Sequence, residues 1–165
     1  MQEICAEAGI SAGALYRYFA SKAEIIAAIA EDKRGERDLL FLQEAQRSGL
    51  IEALCLIAGD FFEKLNAGDG ALIADIIAES IRDDVIAQSL SSNDRAGVEL
   101  IAKAIRDAQA RREIDATLEP ESAANTLYAL IEGIGLRRAF LRETDPVAAL
   151  LQFRAAAERY LSPRT

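Results

Sequence analysis

The chain has 165 residues with no histidine and no tryptophan, and its 27 acidic and 19 basic residues give a net charge of −8. A chain of this length can bury one sizeable core and carry a small appendage at one end. The lack of histidine excludes Ser–His catalysis, imidazole acid–base chemistry and imidazole metal ligands. Cys5 and Cys55 show neither a metal-ligand spacing nor a disulfide pattern, so we expect two buried thiols in a reduced, cytoplasmic protein.

Leucine, isoleucine and alanine dominate, there are only three prolines, and few stretches alternate with period two. The sequence therefore predicts an all-α fold. It contains no apolar run near the roughly 18 residues that a membrane span needs and no signal peptide, so we expect a soluble protein without a membrane partner. Nothing in the sequence predicts a cofactor, a metal site or an enzyme; a di-iron helical bundle, for example, needs Glu-x-x-His pairs.

The most informative stretch is residues 9–24. Gly9 follows an apolar-periodic run, where a helix end favours a residue that tolerates a left-handed backbone. Ser11 is a candidate N-cap for a short second helix. Ser21 and Glu24 then form a capping box ahead of the next apolar run. A helix, a glycine turn and a short helix in this order are typical of a helix-turn-helix.

Residues 2–22 resemble the helix-turn-helix of the tetracycline-repressor (TetR) family, with an Ala-Gly-Ile-Ser turn followed by Leu-Tyr-Arg-Tyr-Phe-Ala-Ser-Lys. The resemblance implies an N-terminal DNA-binding domain followed by a helical-bundle domain for ligand binding and dimerisation. It also implies a homodimeric repressor that binds palindromic operator DNA and is released by a small-molecule effector. We place the domains at 1–46 and 47–165.

The second helix of this motif supplies the expected DNA contacts. Base readout is assigned to Ser11, Ala12, Gly13 and Ala14, and phosphate contact to Tyr16, Arg17, Tyr18 and Lys22. Three of the four base-reading positions lack a polar side chain. Readout is therefore expected to depend on the backbone, thymine methyl groups and DNA shape.

Two features of this end work against strong DNA binding. Residues 1–37 contain five basic and six acidic residues, which is not the basic patch expected of a DNA reader. In the TetR family a further helix precedes the helix-turn-helix, whereas Met1 stands directly before the helix that should be second. We therefore expect an incomplete DNA-binding domain that binds DNA weakly, and an N-terminal extension that restores binding.

The remaining helices follow from the apolar pattern and its breaks. Asp83-Asp84 and Ser91 to Asp94 are candidate caps or kinks, so residues 84–112 are expected to form one broken helix or two. The other predicted helices span 22–46, 50–66, 71–82, 121–142 and 146–161.

The helix predicted over 50–66 is apolar nearly all round, which indicates enclosure by other helices. We expect a pocket for an apolar or aromatic effector beside it. Its predicted lining residues are Phe62, Leu65, Ile76, Ile77, Tyr128 and Ile131. Taken singly, each of these side chains is better explained by ordinary core packing than by a pocket.

The helix predicted over 121–142 has apolar residues on two nearly opposite faces, so it needs two neighbours, one of which can be another subunit. Together with the wide apolar arc of 146–161 it predicts a homodimer interface. The residues assigned to it are Ala129, Leu130, Gly133, Arg137, Phe140, Leu150, Phe153 and Ala157. Gly133 and Gly135 indicate a close approach of a backbone or a ligand, or a tight crossing within the chain.

The leading interpretation is a ligand-responsive transcriptional repressor. The alternative is a dimeric small-molecule-binding or interaction protein that does not bind DNA because the first helix is absent. A DNA-binding assay on the chain with and without an upstream extension distinguishes the two.

Overall fold

The computed structural model describes residues 2–19, 24–25, 28, 34–143 and 145–163. All regular structure within these ranges is helical, which confirms the all-α class. The helices are α1 (Gln2–Ala8), α2 (Ala12–Tyr16), α3 (Arg34–Arg47), α4 (Leu50–Lys64), a π-helical turn (Leu65–Asp69), α5 (Gly70–Arg82), α6 (Asp84–Ala110), α7 (Pro120–Phe140) and α8 (Pro146–Leu161).

Several helix starts are fixed by local chemistry that the sequence shows directly. Gly9 has a φ of 65° in the turn between α1 and α2, and the Ser11 hydroxyl accepts a hydrogen bond from the Ala14 backbone N–H at 3.1 Å. Both confirm the predicted turn and N-cap. Glu119 and Asp145 cap α7 and α8 in the same way, each ahead of a proline in the first turn.

α4 lies at the centre of the helical body. It packs against α3 on one side and α8 on another, while α6 packs against α7. This confirms that the all-round apolar helix is enclosed. The largest fully buried side chains of the shared core are Phe41, Leu54, Ile101, Ile105, Leu127, Phe153 and Leu161.

One expected break is absent. α6 runs without interruption through Ser91 to Asp94, so the predicted caps or kinks there are wrong. The Ser91 hydroxyl donates to the Gln88 carbonyl oxygen one turn earlier, at 3.0 Å. A serine that bonds back to the preceding turn can be accommodated inside a helix instead of ending it. The predicted break at Asp83-Asp84 is confirmed, because α5 ends at Arg82, α6 begins at Asp84 and the Asp83 carboxylate accepts from the Ile86 N–H at 3.3 Å.

α4 is followed by a π-helical turn in which Gly68 takes a φ of 113°. This turn packs against α7 at Gly135. A β-carbon on Gly135 would lie 2.5 Å from Leu65 Cδ1 and 2.7 Å from Phe61 Cε1. The close approach indicated by Gly135 is therefore a crossing within the chain, whereas a β-carbon on Gly133 would meet nothing within 4 Å.

Cys5 and Cys55 are both free and buried, as expected. In the ranges that the structure describes, no helix is both long enough and apolar enough to cross a membrane. The same residues contain no group of three or more possible metal-binding side chains.

Candidate functional site

The N-terminal helix pair presents its second helix to solvent. α1 and α2 contact each other, and Cys5 and Leu15 are the buried side chains of this pair. Ala8 and Ile10 belong to the apolar pattern of this stretch but are exposed. The side chain of Leu15 therefore anchors one face of α2 while the rest of this short helix stays accessible.

Seven of the eight residues assigned to DNA contact are exposed, namely Ser11, Ala12, Gly13, Ala14, Tyr16, Arg17 and Tyr18. Lys22, and Ser21 of the proposed capping box, lie outside the described residues. Tyr18 is 72% exposed, and the Arg17 guanidinium lies 5.6 Å from the centre of its ring. This cation–π contact holds a positive charge and a hydroxyl side by side at the end of the segment.

A large cavity of about 640 Å³ lies within the helical body, between α3, α4, α5, α6 and α7. Its size falls within the roughly 300–1,000 Å³ typical of small-molecule sites. Four of the six predicted lining residues face it: Ile76 and Ile77 on α5, and Tyr128 and Ile131 on α7.

Phe62 and Leu65 do not line this cavity, and the structure places them elsewhere. Phe62 is 3% exposed within the core, and both residues border a separate space of about 20 Å³ beside Gly135 and Arg138. Phe61 faces the large cavity instead. Adjacent residues on a helix are turned by about 100°, and on α4 this turn directs Phe62 into the core while Phe61 reaches the cavity.

Sequence reasoning missed the polar residues of the cavity. Asp94 on α6 and Glu132 on α7 both line it, and the Tyr128 hydroxyl hydrogen-bonds Asp94. The spacing of Tyr128 and Glu132, one helical turn apart, was the available signal. Asp94 was not identified because it is the last residue of Ser91 to Asp94, a run that favours a helix cap.

Burial changes the titration of this polar group. Desolvation, followed by the charge of Asp94, raises the pKa of Tyr128 to about 12. Desolvation also raises the pKa of Asp94, although the hydrogen bond with Tyr128 acts against the shift. The pKa of Glu132 is raised by desolvation first and by the charge of Asp94 second. The cavity is thus apolar over most of its wall and carries two carboxyl groups, of which Glu132 is half-buried and Asp94 is still exposed to solvent.

The residues assigned to a dimer interface separate into three groups. Ala129, Gly133, Arg137 and Phe140 are exposed on one face of α7, and Phe140 is 82% exposed. Leu130 and Leu150 are partly buried against the core. Phe153 and Ala157 are fully buried within their own chain, so their assignment to a subunit interface is wrong.

The exposed apolar residues of α8 lie on a different face from Phe153. Val147 and Leu151 are 65% and 62% exposed, and Ala155 follows one turn later. Residues four apart lie on one helix face, so these three form a stripe. We call this stripe and the exposed Ala129, Gly133 and Phe140 together the α7–α8 face. Large exposed apolar side chains such as Phe140, Val147 and Leu151 indicate a surface that can contact a partner.

A solvent-facing helix-turn-helix attached to a helical body with an internal cavity defines the class of ligand-binding transcriptional regulators. Family comparisons agree. The model described as "Bacterial regulatory proteins, tetR family" matches residues 1–29, and "BetI-type transcriptional repressor, C-terminal" matches residues 61–162. The chain belongs to the TetR family of transcriptional regulators, whose members are DNA-binding proteins and not enzymes.

Individual relatives support the same assignment. The HTH-type transcriptional regulator UidR of Escherichia coli is 29% identical over 139 residues, which cover 81% of this chain and 68% of that protein. The structure of Salmonella enterica GusR matches with a TM-score of 0.80 at 26% identity, covering 98% of this chain and 83% of that one. A TetR transcription regulator from Haloarcula marismortui shares the fold, with a TM-score of 0.72 at 18% identity over 97% of this chain and 84% of that one.

Proposed function

We propose that this protein is a ligand-responsive transcriptional repressor that binds palindromic operator DNA as a homodimer and releases it when a small molecule occupies the cavity between α3 and α7. The observation that carries the proposal is the wall of this cavity. It includes Arg37, Asp38 and Phe41 of α3, the described helix that follows the helix-turn-helix in the chain.

A ligand can shift an equilibrium only by its difference in affinity for the two states. Because α3 contributes to the cavity wall, the contacts of a bound molecule depend on where α3 lies. A molecule that fits one position of α3 better therefore favours that position. By linkage, DNA that favours the other position weakens ligand binding by the same factor.

Dimerisation is assigned to the α7–α8 face. A two-fold axis through this face would bring the same surface of both chains together, as in other isologous interfaces. The two copies of α2 would then contact successive major grooves about one helical turn apart.

Most of the residues assigned to DNA contact are exposed residues in and beside α2. Ser11 to Ala14 are assigned to the bases, and Tyr16, Arg17, Tyr18 and Lys22 to phosphates. An arginine on a phosphate contributes to every sequence equally and to the salt dependence, while a change at Ala12 or Ala14 alters the preferred sequence.

The test is a fluorescence anisotropy titration of DNA from the protein's own upstream region at two salt concentrations. Arg17→Ala should weaken binding to all sequences alike and reduce the salt slope by about one. Arg159→Ala, an exposed arginine of α8, is the matched control and should change neither quantity. If the wild-type protein shows no DNA binding, the non-DNA-binding alternative replaces the repressor; if both variants behave alike, the assignment of α2 is wrong.

A further inference from the structure

The cavity has one polar end, formed by Asp94, Tyr128 and Glu132, which we call the carboxylate end. One edge of the Tyr128 ring lies close to α6 at Gly97, where an added β-carbon would be 3.3 Å from the Cε2 atom of the ring. Gly97 and Asp94 are one turn apart on α6, so the same helix supports the ring and accepts its hydroxyl. Glu132 lies one turn beyond Tyr128 on α7.

At the carboxylate end, the positive charge of Arg37 acts to lower the pKa of Tyr128, against the larger effects that raise it. Among the described side chains, none forms an ion pair with Asp94 or Glu132. Lys64 also lines the cavity but pairs with Asp60 at 2.7 Å, and Arg37 is exposed at the rim. The complete set of charged lining residues contains four carboxylates and two cations: Arg37, Asp38, Asp60, Lys64, Asp94 and Glu132.

An excess of carboxylates in a partly desolvated space is unfavourable unless a positive charge or a proton compensates it. The raised pKa of Asp94 and of Glu132 is consistent with this cost. A bound cation would stabilise the ionised form of both groups and gain their Coulomb attraction.

The rest of the wall suits a hydrocarbon. Ile73, Ile76 and Ile77 of α5 face Ile57 and Phe61 of α4 across the cavity, with Leu90 and Leu100 of α6 beside them. Such a wall stabilises a bound apolar body in proportion to the area it removes from water.

We propose that the cavity binds an amphipathic organic cation, with its positively charged head between Asp94 and Glu132 and its apolar body along the α4–α5 wall. This inference rests on the proposed function only in taking the cavity as the effector site. An anionic head would meet the excess of carboxylates, and an uncharged hydroxyl-rich head would find acceptors but no charge attraction.

The test compares three probes that carry an alkyl chain of the same length. Their affinities are measured by isothermal titration calorimetry below their critical micelle concentrations. Octyltrimethylammonium is the cation, octyl glucoside the uncharged polyol and octanoate the anion. The cation should bind at least tenfold more tightly than either of the others. Equal or tighter binding of octyl glucoside or octanoate would overturn the proposal.

Single substitutions test where the cationic head group binds in the cavity. Glu132→Gln and Asp94→Asn should each weaken the cation about tenfold and change octyl glucoside affinity by less than twofold. Glu63→Gln removes an exposed carboxylate of α4 outside the cavity and should change neither. Unchanged cation affinity in both Glu132→Gln and Asp94→Asn would contradict the assigned head-group position, provided circular dichroism shows both variants folded.

DNA release is measured separately, on the protein–DNA complex. If the cation binds the cavity but leaves the complex intact, the ligand class stands and the repressor mechanism fails. If octanoate or octyl glucoside releases DNA and the cation does not, the mechanism stands and the ligand class is wrong.

Discussion

Glu52 on α4 and Arg154 on α8 form a two-pronged ion pair, with both Nη1–Oε1 and Nη2–Oε2 at 2.6 Å. The two residues are 102 positions apart in the chain, so the pair links the central helix to the helix that carries Leu151. Their side chains are 42% and 32% exposed, so solvent screens part of the attraction. The pair adds a polar contact between α4 and α8 to the apolar packing that buries Phe153 and Ala157.

The first prediction concerns this pair. Glu52→Gln should lower the free energy of unfolding at pH 7 by about 0.5–1 kcal/mol, the range of a partly exposed, well-aligned ion pair. The hydrogen bond from Arg154 lowers the pKa of Glu52 in the folded state. The contribution is therefore present above the unfolded pKa of about 4.3 and is lost as the pH falls through the lower folded value.

Urea titrations at pH 7 and at low pH check both statements. Glu113→Gln is the matched control: Glu113 also pairs in two-pronged geometry with Arg111, but only two residues away in the chain. Breaking the Arg111–Glu113 pair should lower the free energy of unfolding by less, because this pair does not connect two separate helices. A larger loss in Glu113→Gln than in Glu52→Gln would contradict this account.

The second prediction concerns oligomeric state. Leu151→Glu should convert the dimer to a folded monomer, because Leu151 is 62% exposed and a charge there costs the single chain little. Ile81→Glu, at an apolar residue of α5 that is 81% exposed, should remain dimeric. Sedimentation velocity at micromolar concentration measures both; a monomeric wild-type protein would exclude the proposed interface.

The third prediction compares two glycines of α7. Alanine gains about 1 kcal/mol of helix propensity over glycine at either position. At Gly135 the added carbon must displace Leu65 and Phe61, and such overpacking costs about 1–3 kcal/mol. Gly135→Ala should therefore unfold at a lower temperature than Gly133→Ala in a differential scan, and the reverse order would show that the π-helical turn is not tightly packed.

Much of the fold could be predicted because local chemistry and apolar periodicity agree. The turn at Gly9, the caps at Ser11 and Glu119, and the enclosed α4 follow from residue types within a few positions of one another. The exceptions depend on tertiary contacts. Phe61 and Phe62 look alike in sequence, and only the neighbours of α4 decide which one faces the cavity.

The interface and the polar end of the cavity illustrate the same limit. Phe153 lies on a wide apolar arc in which core and surface positions cannot be separated without the position of α4. Asp94 and Glu132 come together from two helices 38 residues apart in the chain, with no shared motif. Periodicity identifies the faces of a helix, but it does not identify what each face meets.

The central claim is that a dimer of this protein reads palindromic DNA through two copies of α2. The most direct measurement is selection of bound sequences from random double-stranded DNA, followed by the stoichiometry of the selected complex. We expect enrichment of a palindrome whose half-sites are about one helical turn apart, roughly 10–10.5 base pairs, bound by an even number of chains. Recovery of no preferred sequence, or of a single half-site bound by one chain, would contradict the account.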